Sequence, residues 1–239
     1  MNAALEHFHA ARQAMSDALG PMYHDFALLG MPTKQLPGIF APNQQAKAPV
    51  IIAYLAHAIA MLRQRGAVEI SAAELFCADG YYAMVARALG ATRAVGIDND
   101  RDGYLVNARR IADTLGLGNL EFRRQAVEDI DERERFSIVM NIGGLYHVAD
   151  PEAVLDRSYR LATDYLIVQT VVSLATDDPD YYKAPGPGLP WGNRYSRSSF
   201  ERTMARRGWR LLRQDFNELT EKARPEDRGS LYYLVEIER

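Results

Sequence analysis

The sequence predicts an α/β fold with a mostly parallel sheet, and three observations support this fold class. From residue 72 onward, short apolar runs alternate with amphipathic segments, which is the pattern of successive strand-helix-strand units. Before residue 68, two segments have apolar residues at helical spacing. Near the C-terminus, two strand-like segments follow each other with only a loop between them. We therefore expect a helical extension, a sheet domain and a final pair of strands.

The N-terminal extension is predicted from two helices, at residues 2–19 and 49–65. Apolar residues recur every three or four positions in both, as at Ile51, Leu55 and Ile59. The segment between these helices contains proline and glycine but has enough apolar neighbours to pack as an ordered loop. The extension is therefore expected to lie against the sheet.

The sheet domain has strand signals separated by helices with recognisable ends. Residues 105–115 place their apolar residues on one helical face, and Gly116 can close that helix. Another helix begins at Asp150–Pro151, where the carboxylate caps free amides and the proline occupies the first turn. The predicted strands are 72–77, 93–98, 120–125, 136–142 and 164–171.

The C-terminal part predicts one more helix and the last two strands. Ser198 and Glu201 have capping-box spacing, so we expect a helix over 199–207. Strands at 209–216 and 231–238 follow. As domain organisation we expect an extension over 1–68 and a core domain over 69–239, the latter with a substrate-loop insertion at about 173–198.

Composition indicates a soluble globular protein. The 239 residues are 48% hydrophobic and 25% charged, which suits one sizeable domain and excludes general disorder. The net charge of −3 gives no overall attraction to nucleic acid, and the basic stretch 206–213 is interpreted as a solvated helix end rather than a phosphate site. Cys77 is the only cysteine, so no intrachain disulfide can form. Residues 1–12 lack signal-peptide character, and the apolar stretch 48–62 is short for a bilayer and contains His57. We expect a cytoplasmic protein that does not bind membranes.

The most informative motif is an acidic residue, a small-residue turn and a second acidic residue at the end of the next strand. Glu74 precedes a turn ending at Gly80, and Asp98 follows 24 positions after Glu74, close to the spacing of one strand-helix-strand step. A dinucleotide site needs glycines that admit a pyrophosphate, but Phe76 and Ala78 occupy two of those places. A nucleoside without phosphate, as in S-adenosylmethionine, fits the turn better than NAD.

Five segments together resemble the class I S-adenosylmethionine-dependent methyltransferases. The resemblance covers roughly residues 70–172 and weakens towards the C-terminus. It implies a Rossmann-like, seven-stranded, mostly parallel sheet closed by an antiparallel C-terminal hairpin, with S-adenosylmethionine as the cofactor. The segments are 74–80, 90–91, 95–98, 136–139 and 144–151.

The resemblance also implies which residues bind the cofactor. Glu74 and the backbone of the following turn would orient the methionine end, while Asp98 would accept hydrogen bonds from both ribose hydroxyls. Gln125 stands where the family usually has an aspartate that meets the adenine, so an amide could make that contact, or Glu128 could replace it. The complete expected set is Glu74, Phe76, Cys77, Ala78, Asp79, Gly80, Tyr81, Asp98, Asn99, Gln125, Ala126, Val127, Asn141, Ile142 and Gly143.

Methyl transfer to oxygen or nitrogen needs a base, and His147 is the candidate. It follows the fourth strand, and an ordinary histidine is largely neutral at cytoplasmic pH. A purely structural His147 is the alternative. The expected substrate contacts are Tyr146, beneath the cofactor, and three residues of the aromatic loop, namely Tyr181, Trp191 and Arg194, the last pairing with an anionic group. No metal is expected, because the cluster 177–180 is better explained as a solvated turn.

Several functional alternatives remain open. The leading prediction is methyl transfer to oxygen or nitrogen of a small molecule. Segment 144–151 also resembles enzymes that modify tRNA uridines, including carboxymethyl-transferring ones, although the weak basic character disfavours nucleic acid. A protein that binds S-adenosylmethionine without turnover and a nicotinamide dehydrogenase are further alternatives. A homodimer is compatible with the sequence.

Overall fold

The computed structural model describes residues 3–185 and 192–238, and its centre is one seven-stranded sheet. The sheet strands are β1 (Ser71–Leu75), β2 (Arg93–Asp98), β3 (Leu120–Arg124), β4 (Phe136–Ile142), β5 (Ala162–Val172), β8 (Arg210–Glu218) and β9 (Gly229–Glu236). A separate two-stranded hairpin consists of β6 (Tyr182–Lys183) and β7 (Arg194–Tyr195). The helices are α1 (Ala3–Leu19), α2 (Phe40–Gln64), α3 (Tyr81–Ala88), α4 (Leu105–Leu115), α5 (Pro151–Leu161) and α6 (Arg197–Ala205).

The strand order confirms the predicted fold class. The order across the sheet is β3-β2-β1-β4-β5-β9-β8. Strands β1 to β5 pair in parallel, whereas β9 is antiparallel to both β5 and β8. The order reverses between β1 and β4, and open α/β sheets bind their ligands at the carboxyl ends of the strands beside such a reversal.

The sheet is buried on both faces. Ile138 and Met140 of β4 pack with α2, α3 and α4, while Val139 between them packs with α5 and α6 on the other face. This alternation follows from the two-residue period of a strand. Apolar side chains on both faces explain why the strands appear in the sequence as continuous apolar runs.

Helix α2 begins nine residues before its predicted start at residue 49. Its first two turns contain Asn43, Gln44 and Lys47, which line a cleft, so no apolar periodicity marks them. Helix α2 is long and apolar enough, by length and composition alone, to cross a membrane. In this fold, however, its apolar residues are part of the buried core cluster, and the helix packs against α3, β5 and β9.

One predicted helix cap is correct and another is misplaced. Asp150 caps α5 by accepting a 2.9 Å hydrogen bond from the amide of Ala153. For α6 the cap is Ser196, whose hydroxyl accepts from the amide of Ser199 at 3.0 Å, rather than Ser198. Ser198 instead donates its hydroxyl hydrogen to Asp177 at 2.6 Å, which holds the preceding loop against the helix.

Candidate functional site

A cleft of about 730 Å³ lies at the carboxyl ends of β1, β2 and β4. Its walls come from the turns that follow these strands and, on the opposite side, from α2 and the segment between α1 and α2. A second cavity of about 510 Å³ lies at the other edge of the sheet, around Glu69 and Arg93. We assign the site to the larger cleft, because open α/β sheets place ligands at the carboxyl edge.

The turn after β1 retains a glycine-like backbone although two of its residues are not glycine. Phe76 has φ 60°, Ala78 has φ 46° and Gly80 has φ 73°, all in the left-handed region. This conformation costs an ordinary residue roughly 1–2 kcal/mol. The ring of Phe76 packs on Gly144, where an added Cβ would lie 1.9 Å from the ring, and the cleft stays open beside it. The turn therefore has the left-handed backbone that glycine favours, although two of its residues carry side chains.

Asp98 is held at the tip of β2 by backbone amides. Its Oδ2 accepts from the amide of Ala78 at 3.0 Å and its Oδ1 accepts from the amide of Asp100 at 2.7 Å. Each carboxylate oxygen has a second lone pair, so Asp98 can still accept from two ribose hydroxyls. Asn99 lies beside it on the cleft wall. The acceptor oxygens of Asp98, the neighbouring Asn99 and the volume of the cleft fit S-adenosylmethionine.

Glu74 is buried beneath the same turn. It is only 2% exposed and accepts a 2.7 Å hydrogen bond from the amide of Ala83 in the first turn of α3. Burial raises the pKa of Glu74 well above its ordinary value, although the amide hydrogen bond acts in the opposite direction. The carboxyl group therefore links β1 to the start of α3 and borders the cleft.

Three residues of the expected cofactor set, in and just after the β1 turn, have side chains in the core. Cys77 is buried with its sulfur close to Gly96, and burial raises its thiol pKa. Asp79 is fully buried and both of its oxygens bind His24. Tyr81 is 2% exposed and stacks on His24, whereas its neighbour Tyr82 lines the cleft. For these three positions, only the backbone is available to a cofactor.

The residues after β3 are not among those that line the cleft, although the backbone amide of Gln125 donates to the carbonyl of Asp98 at 2.8 Å. The side-chain amide of Gln125 donates to the carbonyl of Asp129 at 2.8 Å, and Val127 is part of the core with Ala126 just before it. The adenine contact expected from these residues stays a prediction. After β4, Ile142 and Gly143 line the cleft, but Asn141 points into the core and donates to Ser158 at 2.8 Å.

His147 lines the cleft beside several cations. The ring of His147 lies 4.3 Å from the ring of Tyr146, centroid to centroid. Desolvation in the cleft, followed by the charges of Arg194, Lys47 and Arg101, lowers the pKa of His147 to about 4. The imidazole is therefore neutral at pH 7, and the same low pKa makes it a weak base.

Lys47 was not expected from the sequence. Burial in the cleft wall, together with Lys222 and Arg194, lowers its pKa to about 7. Within residues 3–185 and 192–238, no carboxylate pairs with its ammonium group. A lysine between two alanines at the polar start of an apolar helix was the one available signal.

Of the described substrate-loop residues, Arg194 and Tyr181 do not make the expected approach to the cleft. Arg194 is 4% exposed, and its guanidinium donates to Asp227 at 2.7 and 2.9 Å and to the carbonyl of Asn193 at 2.6 Å. It therefore supports the loop and stacks on Tyr146, rather than presenting a free charge to a substrate. Tyr181 borders a different surface cavity near Asp150, and Trp191 lies outside the described residues.

The aspartates of the same loop are also occupied by protein partners. Asp177 accepts from Ser198, Asp178 accepts from the amide of Asp180, and Asp180 pairs with Arg202. In the described part of the chain, no group of three histidine, cysteine or acidic residues is arranged to hold a metal ion.

Comparison with known structures places the fold in a widely shared class. The N-terminal domain of EvdMO1 with S-adenosylhomocysteine bound has a TM-score of 0.56 at 18% identity, over 77% of this chain and 81% of that one. Magnesium protoporphyrin IX methyltransferase (ChlM) from Synechocystis PCC 6803, with bound S-adenosylmethionine, has 0.59 at 13%, over 85% and 86%. The [4+2]-cyclase SpnF has 0.55 at 14%, over 70% and 75%. At these identities the likeness establishes the fold alone.

The family assignment comes from the sequence. No curated protein matches this chain. The family model described as "Methyltransferase domain" matches residues 69–223, which is more than half of the chain and includes the β1 turn, Asp98 and the β4 turn. The chain belongs to this methyltransferase-domain family and is a class I S-adenosylmethionine-dependent methyltransferase.

Proposed function

We propose that the protein transfers the methyl group of S-adenosylmethionine to oxygen or nitrogen of a small-molecule acceptor. The observation that carries this proposal is that one cleft is lined both by the amide-held carboxylate of Asp98 and by titratable groups that include Lys47 and His147. The cofactor supplies the electrophilic methyl group. The protein must hold the acceptor in line with it and accept a proton.

The shape of the cleft supports a small acceptor. Tyr23 and Phe40, from the segment between α1 and α2 and from the start of α2, form the wall opposite the strand ends. A cleft of about 730 Å³ must hold both the cofactor and the acceptor, which favours a compact molecule over an RNA duplex. ChlM acts on a porphyrin, a precedent for a small acceptor on this fold.

Binding and turnover test the proposal in two steps. Isothermal titration should show binding of S-adenosylhomocysteine and no binding of NADH. Asp98→Asn should weaken the binding of S-adenosylhomocysteine by about tenfold or more, because charged hydrogen bonds contribute about 1.5–3 kcal/mol each. The exposed Asp113→Asn on α4 is the matched control and should bind like the wild type.

Turnover then identifies the class of acceptor. Formation of S-adenosylhomocysteine from S-adenosylmethionine is measured with a small-molecule cell extract and, separately, with total tRNA. Turnover with tRNA only would contradict a small acceptor, and cofactor binding without turnover by either would favour a non-catalytic protein. We also propose a cytoplasmic location, in keeping with the single buried cysteine. We propose a homodimer as well, and light scattering would test this oligomeric state.

A further inference from the structure

His24 forms a buried pair with Asp79 of the cofactor turn. The ring Nδ1 of His24 lies 2.6 Å from Oδ1 of Asp79, and the backbone amide of His24 donates to Oδ2 at 2.8 Å. Asp79 is fully buried, and its carboxylate accepts both bonds. We therefore assign the ring hydrogen to Nδ1, which leaves Nε2 with a free lone pair.

The ring of His24 is fixed in orientation. It stacks on Tyr81 with a centroid distance of 4.8 Å and an interplanar angle of 17°, and Tyr82 meets it edge-on at 5.5 Å. Tyr23 packs against it at 4.9 Å. Among the described residues, the titratable groups in contact with the ring are the carboxylate of Asp79 and the phenols of Tyr23, Tyr81 and Tyr82.

Nε2 is the ring nitrogen of His24 that Asp79 leaves unbound. His24 lines the cleft together with Tyr23, Tyr82 and Glu74. Within the described residues, no hydrogen-bond partner of Nε2 is present, and the atom is not among the unpaired polar atoms sealed in the interior. A ring nitrogen that is unpaired, accessible and held in place by a carboxylate is the arrangement of a general base.

We propose that His24 is the catalytic base of the methyl transfer and that Asp79 is its positioning residue; this rests on the proposed function. The acceptor O–H or N–H loses its proton to Nε2 as the oxygen or nitrogen forms a bond to the methyl carbon. The methyl–sulfur bond breaks, and its electron pair stays on the sulfur of S-adenosylhomocysteine. Asp79 stabilises the imidazolium that results.

The surroundings of the two cleft histidines differ in a way that favours His24. His147 lies near Arg194, Lys47 and Arg101, and these cations oppose its protonation. His24 has a carboxylate at hydrogen-bond distance, which fixes the orientation of its ring. The ring of His24 is therefore held as a base in this arrangement requires, whereas His147 lies among cations.

His24→Asn separates the base from a merely structural contact. The asparagine amide can still donate to Asp79 near the position of Nδ1, but it has no counterpart of Nε2. We expect S-adenosylhomocysteine affinity within about threefold of wild type and turnover with the small-molecule extract reduced by about 10²–10⁴-fold. His57→Asn, at an exposed position of α2, is the control and should retain wild-type turnover.

Nitrogen NMR of ¹⁵N-histidine-labelled protein gives a readout that does not need an acceptor. It should show His24 protonated at Nδ1 and unprotonated at Nε2, with the Nε2 resonance shifting when S-adenosylhomocysteine binds. A protonated Nε2, or no shift on binding, would overturn the proposal even if no acceptor is found. Should His24→Asn fail to fold, His24→Gln provides the second variant.

The outcomes for the base and for the enzyme can be told apart. Wild-type turnover by a folded His24→Asn, or a loss confined to His147→Asn, would refute His24 as the base while leaving the methyltransferase intact. Failure of the wild type to bind S-adenosylhomocysteine would instead refute the proposed function.

Discussion

Gly80→Ala should be strongly destabilising because two separate penalties meet at this position. Gly80 has φ 73°, and the left-handed conformation costs an alanine roughly 1–2 kcal/mol. An added Cβ would also lie 2.1 Å from a ring carbon of the buried Phe122, and overpacking of this kind costs about 1–3 kcal/mol. The expected loss is about 2–5 kcal/mol, a large share of the roughly 5–15 kcal/mol that stabilises a domain.

Gly116→Ala is the matched control, because it carries only the first penalty. Gly116 has φ 67°, and its added Cβ would meet nothing within 4 Å. Its expected loss is therefore about 1–2 kcal/mol. The difference between the two variants, about 1–3 kcal/mol, isolates the contact with Phe122.

Urea unfolding of the two variants measures this difference directly. Phe122→Leu in the Gly80→Ala background shortens the obstructing ring, so the two changes together should cost less than their separate losses added. Equal losses for Gly80→Ala and Gly116→Ala, or strict additivity with Phe122→Leu, would refute the packing described for this turn.

Three further predictions concern the turn and the cleft. Ala78→Gly removes the strain of a left-handed alanine but adds conformational freedom to the unfolded chain. The two effects oppose each other, so the free energy of unfolding should change by no more than about 1 kcal/mol. A larger loss on urea unfolding would show that Ala78 is not strained. Burial raises the folded pKa of Glu74, so above about pH 4 the unfolded chain releases a proton that the folded protein keeps. The free energy of unfolding of the wild type should therefore fall, relative to that of Glu74→Gln, by up to about 1.4 kcal/mol per pH unit. Urea unfolding at a series of pH values measures this difference, and a rise of the relative free energy with pH would refute the prediction. The pKa of Lys47 in the folded protein is lowered to about 7, so between about pH 7 and 10 the free energy of unfolding of the wild type should rise relative to that of Lys47→Met. Urea unfolding over this pH range tests the prediction.

The strands could be predicted from sequence because their signal is local. The predicted segments 93–98 and 136–142 coincide with β2 and β4, whose buried apolar runs end where polar residues begin. The predicted strand 72–77 extends two residues too far, because Phe76 and Cys77 are apolar but belong to the turn. Burial alone cannot distinguish a strand residue from a buried turn residue.

The site was only partly predictable, because part of its wall comes from segments far from the β1 turn in sequence. Asp98 can be predicted because it ends the next strand after the β1 turn, which it contacts. His24 lies 55 positions before Asp79, and no sequence spacing predicts that contact. The available signal was that the segment around His24, between two helices, has enough apolar residues to pack, so that its backbone and its few polar side chains would need partners on burial.

The family match and the site do not have the same boundaries, and this affects where acceptor specificity resides. The match begins at residue 69, yet Tyr23, His24 and Lys47 line the cleft from the segments before it. The family part supplies the carboxylate and turn that fit the cofactor, whereas the earlier segments supply other residues of the same cleft. Since the shared fold also includes a [4+2]-cyclase, the cofactor half alone does not determine the reaction. The choice of acceptor should therefore depend most on residues 20–47, and exchanging side chains there should change the acceptor while leaving cofactor affinity intact.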